Sequence, residues 1–332
     1  MIKQSSKVSD SGCVLSIVIP VYQSAVILPE LVKQIHAEMK KEGLADNFEL
    51  LLISDASPDS SWQVIRSLAD SHAFIKGILL RRNFGQHNAI MAGLNYVNGN
   101  FIVLMDDDLQ HPPDAIGDML RELNKGFDVC YTNYLNRQHA TWKKLGSQFN
   151  DWMASHLLGK PKGLYLSSFK GLRREIVQEI IRYDGPYAYI DGLILDITRS
   201  ITTIDIEHGA RHEGEGNYTF VRSFGLWLKM ATSFSVWPLR MAMFSGFALA
   251  IFSMIMIVFV IVEKLLYPEV QAGWASLIAT VLFIGGVQIL FIGIIGEYLG
   301  RAYLKLNQKP QFVVGQTTWK PKELLRRFNN DK

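Results

Sequence analysis

The sequence predicts an α/β protein: a mostly parallel sheet with helices on both faces, followed by a pair of membrane-crossing helices. Three observations predict it. Between residues 14 and 132, short apolar β-rich runs alternate with helical patterns. Several of those runs end in polar or charged residues, where sheets of this kind bind ligands. Further on, two long segments are almost free of charge. The chain has 332 residues and a formal net charge of +3, which suits one sizeable domain with additions.

The first strand is "VLSIVIP", and apolar spacing then predicts a helix over 27–41. "FELLLIS" is the second strand, with a helix over 60–71. "IKGILLR" is the third, with a helix over 86–97, and "NFIVLM" the fourth, with a helix over 112–124. "FDVCYT" is the fifth. Their continuous apolar character marks strands buried on both faces. The strand ends Pro20 to Tyr22, Ser54–Asp55, Arg81 to Asn83 and Asp106 to Asp108 are then expected to converge on one crevice. Beyond 132 the pattern loosens. Residues 142–158 read as a helix, "SSFKGLRREIVQEII" as a strand or loop entering a helix, and "ITTIDIEHGAR" as a strand. "YTFVRSFGLWLKMATSF" sets Phe220, Phe224, Trp227 and Leu228 on one helical face. That fits a helix lying in a membrane interface or an ordinary amphipathic core helix.

Residues 238–262 hold no acid and only Arg240, and residues 273–295 hold no charge. Each exceeds the roughly 20 residues needed to cross a bilayer. The short link "EKLLYPEVQ" makes them a hairpin, so both flanks lie on one side. Those flanks carry Lys229, Arg240 and a tail from Arg301 with eight basic and two acidic residues. The positive-inside rule places them in the cytoplasm, as an integral protein of the inner membrane. Next to two spans, the basic tail reads as a membrane-surface feature, and no nucleic-acid partner is expected. "MIKQSSKVSDSG" has no apolar core after it, so no signal peptide is expected. Cys13 and Cys130 show no metal or disulfide spacing. The expected organisation is a tail (1–12), a catalytic domain (13–216), an interfacial helix (217–236), two spans (237–297) and a basic tail (298–332).

The fourth strand runs into "LMDDDLQHPP". Three adjacent carboxylates repel one another unless a cation sits among them. Mg²⁺ and Mn²⁺ take oxygen ligands, commonly one or two carboxylates plus a substrate's phosphates. Asp106 and Asp108, two apart at a strand end, can present such ligands, and Gln110 can add a carbonyl oxygen. A solvated acidic turn is the bland alternative.

"SIVIPVYQS", "LLISDASPDSS", "LRRNFGQHNAIMAGL", "DDDLQHPP", "RHEGEGNYT" and "GEYLGR" resemble the motifs of family 2 glycosyltransferases. The resemblance, from about residue 14 to 310, is to the membrane-anchored polyprenyl-phosphate type, similar to dolichol-phosphate mannose synthase. It implies a GT-A fold, a homo-oligomer (a tetramer) and inverting transfer of a sugar from a nucleotide diphosphate sugar to a polyprenyl phosphate. By the same resemblance Pro20, Tyr22 and Asp55 contact the nucleoside, and Arg82 lines the donor crevice. Asp106, Asp108 and Gln110 hold the metal and diphosphate. Lys170, where relatives carry Arg in S-x-F-R, and Arg211, at the start of R-x-x-G-x-S-x-Y, serve phosphate groups. The chain departs from the pattern at Tyr22-Gln23-Ser24 against Y-N-E, at Ser54-Asp55-Ala56-Ser57 against D-D-G-S, and at Gly216 against Ser.

An acceptor phosphate, with a second pKa near 6, is a dianion at neutral pH and needs basic groups more than a general base. Lys170, Arg173, Arg174 and Arg211 are the candidates, the middle two being equally readable as the solvated start of a helix. Asp191, in the apolar "YAYIDGLIL", could orient the acceptor, act as a base or cap a helix. His87 and His111 read by default as structural or solvent-facing. A processive polysaccharide synthase of the same fold would show more spans and Q-x-x-R-W, and neither is present. A nonenzymatic nucleotide-sugar-binding scaffold is the alternative of another class.

Overall fold

The computed structural model describes residues 13–134, 160–161, 163–185, 188–206, 237–266, 273–307 and 309–320. The strands are β1 (Leu15–Val21), β2 (Phe48–Ser54), β3 (Ile75–Leu80), β4 (Phe101–Leu104), β5 (Val129–Tyr134), β6 (Lys170–Arg173), β7 (Ile201–Ile206) and β8 (Val314–Thr317). The helices are α1 (Leu28–Lys41), α2 (Ser61–Ser71), α3 (Gln86–Leu94), α4 (Ala115–Asn124), α5 (Arg174–Ile180), α6 (Ile190–Ile197), α7 (Trp237–Leu266) and α8 (Trp274–Leu306). All strands join one sheet in the order β7-β5-β6-β4-β1-β2-β3-β8. β4-β1-β2-β3 run parallel, as do β5 and β7, while β6 and β8 run against their neighbours.

Every residue of β1 and β2 is buried, as the unbroken apolar runs predict for strands covered on both faces. α1 buries Leu28, Leu31, Val32, Ile35 and Met39, one stripe at helical spacing, and proline opens its first turn. α3 lies close on the sheet because Gly93 has no side chain: a Cβ there would fall 2.6 Å from Val18 Cγ1 and 2.8 Å from Ile53 Cδ1. That contact fixes the start of α3 over the carboxyl ends of the central strands. Pro20 sits in β1 without breaking a ladder, because β4 pairs only with Leu15 to Val18.

The chain forms two compact units, one of residues 1–217 with 309–332 and one of residues 218–308. Where the sequence reading begins a tail at 298, α8 continues to Leu306 and β8 then pairs antiparallel with β3, Ile78 opposite Thr317. Thr318 N–H donates to Gly77 O at 3.0 Å and Arg81 N–H to Val313 O at 2.9 Å. Trp62 Nε1–H donates to Gln316 Oε1 at 3.3 Å. The four residues "VGQT" carry little strand signal; the open edge of β3 supplies the order their own sequence lacks. In the second unit, Leu239–Glu263 and Phe283–Leu304 are long and apolar enough to cross a membrane. The second of these starts later than the charge-free run 273–295 and admits Glu297 and Arg301. Phe244, Phe252, Phe259, Phe283 and Ile289 are all exposed there, as lipid-facing side chains would be. Residues 135–159, 207–236 and 321–332, which contain the predicted helix at 142–158, Arg211, the candidate interfacial helix and half of the basic tail's Lys and Arg residues, lie outside the described residues.

Candidate active site

β1, β2, β3 and β4 end side by side, so Tyr22, Asp55, Arg82 and Asp106 to Asp108 belong to one rim. The three aspartates divide in two directions. Asp107 turns back under the loop after β1, accepting from the Tyr22 N–H at 3.1 Å and the Ser24 hydroxyl at 2.5 Å. Burial pushes its carboxyl up to about 6, against those two donors and with help from Asp106. Ser24 stands at the acid position of the Y-N-E motif that Tyr22-Gln23-Ser24 resembles. A hydroxyl can donate to Asp107, whereas a second carboxylate would repel it.

Asp106 faces the crevice. Its Oδ1 accepts from Gln86 Nε2 at 2.6 Å, its Oδ2 from Ser168 Oγ at 2.6 Å, and its backbone N–H donates to His111 Nδ1 at 3.0 Å. Nδ1 is therefore the acceptor, and the proton of a neutral ring sits on Nε2, 3.8 Å from Asp106 Oδ2. His111 is buried and stacked on Phe169 at 4.9 Å, so it props the turn instead of facing solvent. Asp108 Oδ1 accepts the Gln110 N–H at 3.1 Å. With Asp107 turned away, no three His, Cys, Asp or Glu side chains among the described residues converge to hold a metal. Two carboxylates and the Gln110 carbonyl form an all-oxygen donor set that suits a hard divalent cation, provided a ligand's phosphates complete the shell.

Asp55 is buried, and its two oxygens accept the N–H groups of Phe84 (2.7 Å) and Gly85 (2.8 Å). Burial raises its pKa and the two N–H groups oppose the rise. It thus ties the end of β2 to the loop that opens α3. Arg82, exposed on that loop, lies over the Phe84 ring at 4.5 Å. Tyr22 is 48% exposed at the crevice mouth, and Pro20 is buried behind it.

Across the rim, antiparallel β6 brings Lys170 beside Leu104. Its ammonium is buried and paired with Asp191 Oδ1, which also accepts the Tyr131 hydroxyl at 2.9 Å. Lys170 Nζ sits 4.9 Å from the Tyr131 ring centroid. Burial and then the Asp191 charge hold the Tyr131 hydroxyl well above its usual pKa, so it stays a donor. Asp191 lies in the first turn of α6, and its carboxylate serves the lysine and the phenol. Arg173 and Arg174 are not brought to this rim. They lie at the opposite end of β6, where Arg173 caps the carbonyls of Leu123 and Phe127 and Arg174 those of Asn98 and Gly99. The antiparallel turn of β6 separates them from Lys170, and nothing local in "KGLRR" announces its direction.

The sequence reading leaves out Gln86, Ser168, Tyr131 and the inward turn of Asp107. The third aspartate was the one visible signal. His87, read as structural or solvent-facing, sits beside this cluster with its ring edge-on to Tyr189 at 5.3 Å, and its Nδ1 is buried without a partner.

Residues 16–181 match Glycosyl transferase family 2, and residues 237–302 match the GtrB C-terminal hairpin. An undecaprenyl-phosphate 4-deoxy-4-formamido-L-arabinose transferase of Salmonella paratyphi A is 34% identical over 92% of this chain and 94% of its own. A protein of the same name from Photorhabdus laumondii is 32% identical over 90% and 93%. Among solved structures, glucosyl-3-phosphoglycerate synthase of Mycobacterium tuberculosis is similar with a TM-score of 0.48 and 15% identity, covering 67% of this chain and 80% of that one. The chain belongs to glycosyl transferase family 2 and, within it, to the polyprenyl-phosphate glycosyltransferases that end in a membrane hairpin.

Proposed function

We propose that the protein moves a sugar from a nucleotide diphosphate sugar, with UDP as the carrier, to undecaprenyl phosphate or a similar polyprenyl phosphate, with inversion at the anomeric carbon. The observation that carries this reading is the meeting, at one rim, of Asp106 and Asp108 with the buried cation of Lys170, in a chain with two membrane-length helices. The activity for which its relatives are named supports the acceptor.

Asp106, Asp108 and Gln110 would hold Mg²⁺ or Mn²⁺ against the donor diphosphate. When bound, the ion supplies positive charge for the leaving group. Pro20, Tyr22 and Asp55 form the nucleoside end, and Asp55 also keeps the 84–85 loop in place. Arg82 lines the donor entrance. A phosphate oxygen of the acceptor, already a dianion at neutral pH, attacks the anomeric carbon. The bond from that carbon to the diphosphate breaks, and the nucleoside diphosphate leaves. No proton has to be removed, so Asp191 works as the residue that aims Lys170, with Tyr131 as its second partner. Lys170 and Arg211 meet the acceptor phosphate. The two apolar helices anchor the protein in the inner membrane, with the catalytic unit and both flanks cytoplasmic. Homo-oligomer assembly rests on the family resemblance alone.

The test is full-length protein in membranes with undecaprenyl phosphate and labelled UDP- and GDP-sugars. The expected product is a lipid carrying one sugar, formed only with Mg²⁺ or Mn²⁺ and stopped by chelator. A polymeric product would indicate a processive synthase. Nucleotide-sugar binding without turnover would indicate a scaffold.

A further inference from the structure

We infer that His87 is a hydrogen-bonding contact to the transferred sugar, one that sets the fit of the donor's sugar without holding its nucleotide. The inference rests on the glycosyl-transfer reading above and specifies a residue which that reading does not use. His87 is the second residue of α3, and its Nδ1 is shut off from solvent with no partner. A buried polar atom left unpaired is costly, and such atoms are rare enough in folded proteins to require a reason. Sliding α3 cannot relieve it, because Gly93 already lies against Val18 and Ile53.

What surrounds the ring indicates the missing partner. Asp106 is held by the neighbouring residue Gln86 at 2.6 Å, the charges of Asp106, Lys170 and Asp191 all reach the imidazole, and Tyr189 packs edge-on to it. Asp106 belongs to the diphosphate end of the site and Lys170 to the acceptor end. In a direct displacement the sugar must lie between the leaving diphosphate and the incoming phosphate, and His87 lies within reach of the charges of both groups that would hold those two. An imidazole nitrogen donates or accepts a single hydrogen bond, which matches a sugar hydroxyl or amide. A site built to bond a substrate polar group discriminates strongly against analogues that lack it.

The experiment compares full-length wild type, His87→Phe, His87→Asn and His87→Gln in nanodiscs. The donor is the UDP-sugar that wild type turns over with undecaprenyl phosphate. Binding of that intact donor and of UDP is measured by calorimetry, alongside kcat/KM and Tm. Phenylalanine fills the space and removes the nitrogen, asparagine can place an amide near Nδ1, and glutamine reaches the Nε2 position. The expected result is that His87→Phe loses roughly 10-fold or more in donor affinity and in kcat/KM, keeps UDP affinity within about 2-fold, and does not lose Tm. His87→Asn should recover most of the loss and His87→Gln should not. A His87→Phe protein with wild-type donor affinity and kcat/KM overturns the inference and makes the ring a structural orphan. Equal loss of UDP and donor affinity overturns it by assigning His87 to the nucleotide. If His87→Phe does not fold, equal donor affinity in the Asn and Gln variants overturns it. Wild type that turns over no UDP-sugar would instead refute the glycosyl-transfer reading itself, and this inference with it.

Discussion

The two ends of the central strands use polar residues in opposite ways. At the amino ends, Glu49 is enclosed by donors: Ser16 Oγ and the Asn98 N–H at 2.6 Å on one oxygen, Lys76 Nζ at 2.5 Å and Asn98 Nδ2 at 3.0 Å on the other. Ser16 Oγ in turn accepts the Gly99 N–H at 2.8 Å, and Arg174 closes the group on the Asn98 carbonyl. At the carboxyl ends three aspartates stand in a row, and Ser54 Oγ and His87 Nδ1 are buried without partners. Gln23 (φ 60°), Ala56 (φ 50°) and Leu109 (φ 59°), which follow β1, β2 and β4, are the non-glycine residues with positive φ among the described residues. One end is satisfied and holds the fold. The other keeps strain and unmet polar groups, the signature of a surface shaped for a ligand.

The comparison can be broken most severely at Asp108. Asp108→Asn should lower transfer about 1,000-fold or more, roughly 4 kcal/mol in the barrier, with Tm unchanged. Transfer near wild type in saturating Mg²⁺ or Mn²⁺ would remove Asp108 from the proposed metal site. At the opposite end, Glu49→Gln should lose about 2 kcal/mol of stability, below the roughly 3–5 kcal/mol of a fully buried pair because Lys76 is 25% exposed, while activity per folded molecule stays at wild type. Burial raises the Glu49 pKa, but the hydrogen bonds from Lys76, Ser16 and Asn98 prevail and hold it below the usual 4.5. A depressed carboxyl stabilises above its unfolded pKa and loses that contribution as pH falls through its folded pKa. Wild type and Glu49→Gln should therefore differ fully at pH 7 and converge in denaturant melts as pH drops below about 4.5. A difference independent of pH would refute the charge-based account.

Two smaller effects sharpen the contrast. Arg211→Lys keeps charge but loses the guanidinium fork; transfer should fall roughly 10-fold, about 1.4 kcal/mol, with donor binding retained. Rates plotted against polyprenyl-phosphate concentration check it, and unchanged rates would make residue 211 a bystander. Ala56→Gly should shift stability upward by no more than about 1 kcal/mol, because relief of a left-handed backbone is partly offset by added freedom in the unfolded chain. A drop in Tm would mean that the Ala56 methyl packs usefully.

Much of this was readable from the residues because local pattern governs the central strands. β1, β2 and β4 are continuous apolar runs, and the polar residues after them cannot avoid sharing a rim. What the sequence hid depends on partners distant along the chain. Ser168 reaches Asp106 only because β6 runs antiparallel beside β4, and the same reversal carries Arg173 and Arg174 to the wrong end for phosphate work. Asp107 looks like its two neighbours until Ser24 is brought beneath it. β8 is a strand only because β3 has a vacant edge.

That last strand constrains how the chain can be threaded. The strands up to β7 and the residues from Lys309 to β8 belong to the same folded unit, joined through the β3–β8 pairing. A single folded body cannot lie on both faces of a bilayer. If α7 crosses, the chain must cross back before Lys309, so the number of crossings is even whatever the charge of the flanks. The membrane segment is then an excursion from the catalytic unit and back to it, not an appendage. A soluble version of the enzyme would have to excise 237–306 and rejoin the two ends. Truncation at 237 would also strip the edge of β3 and leave its N–H and C=O groups open to another chain.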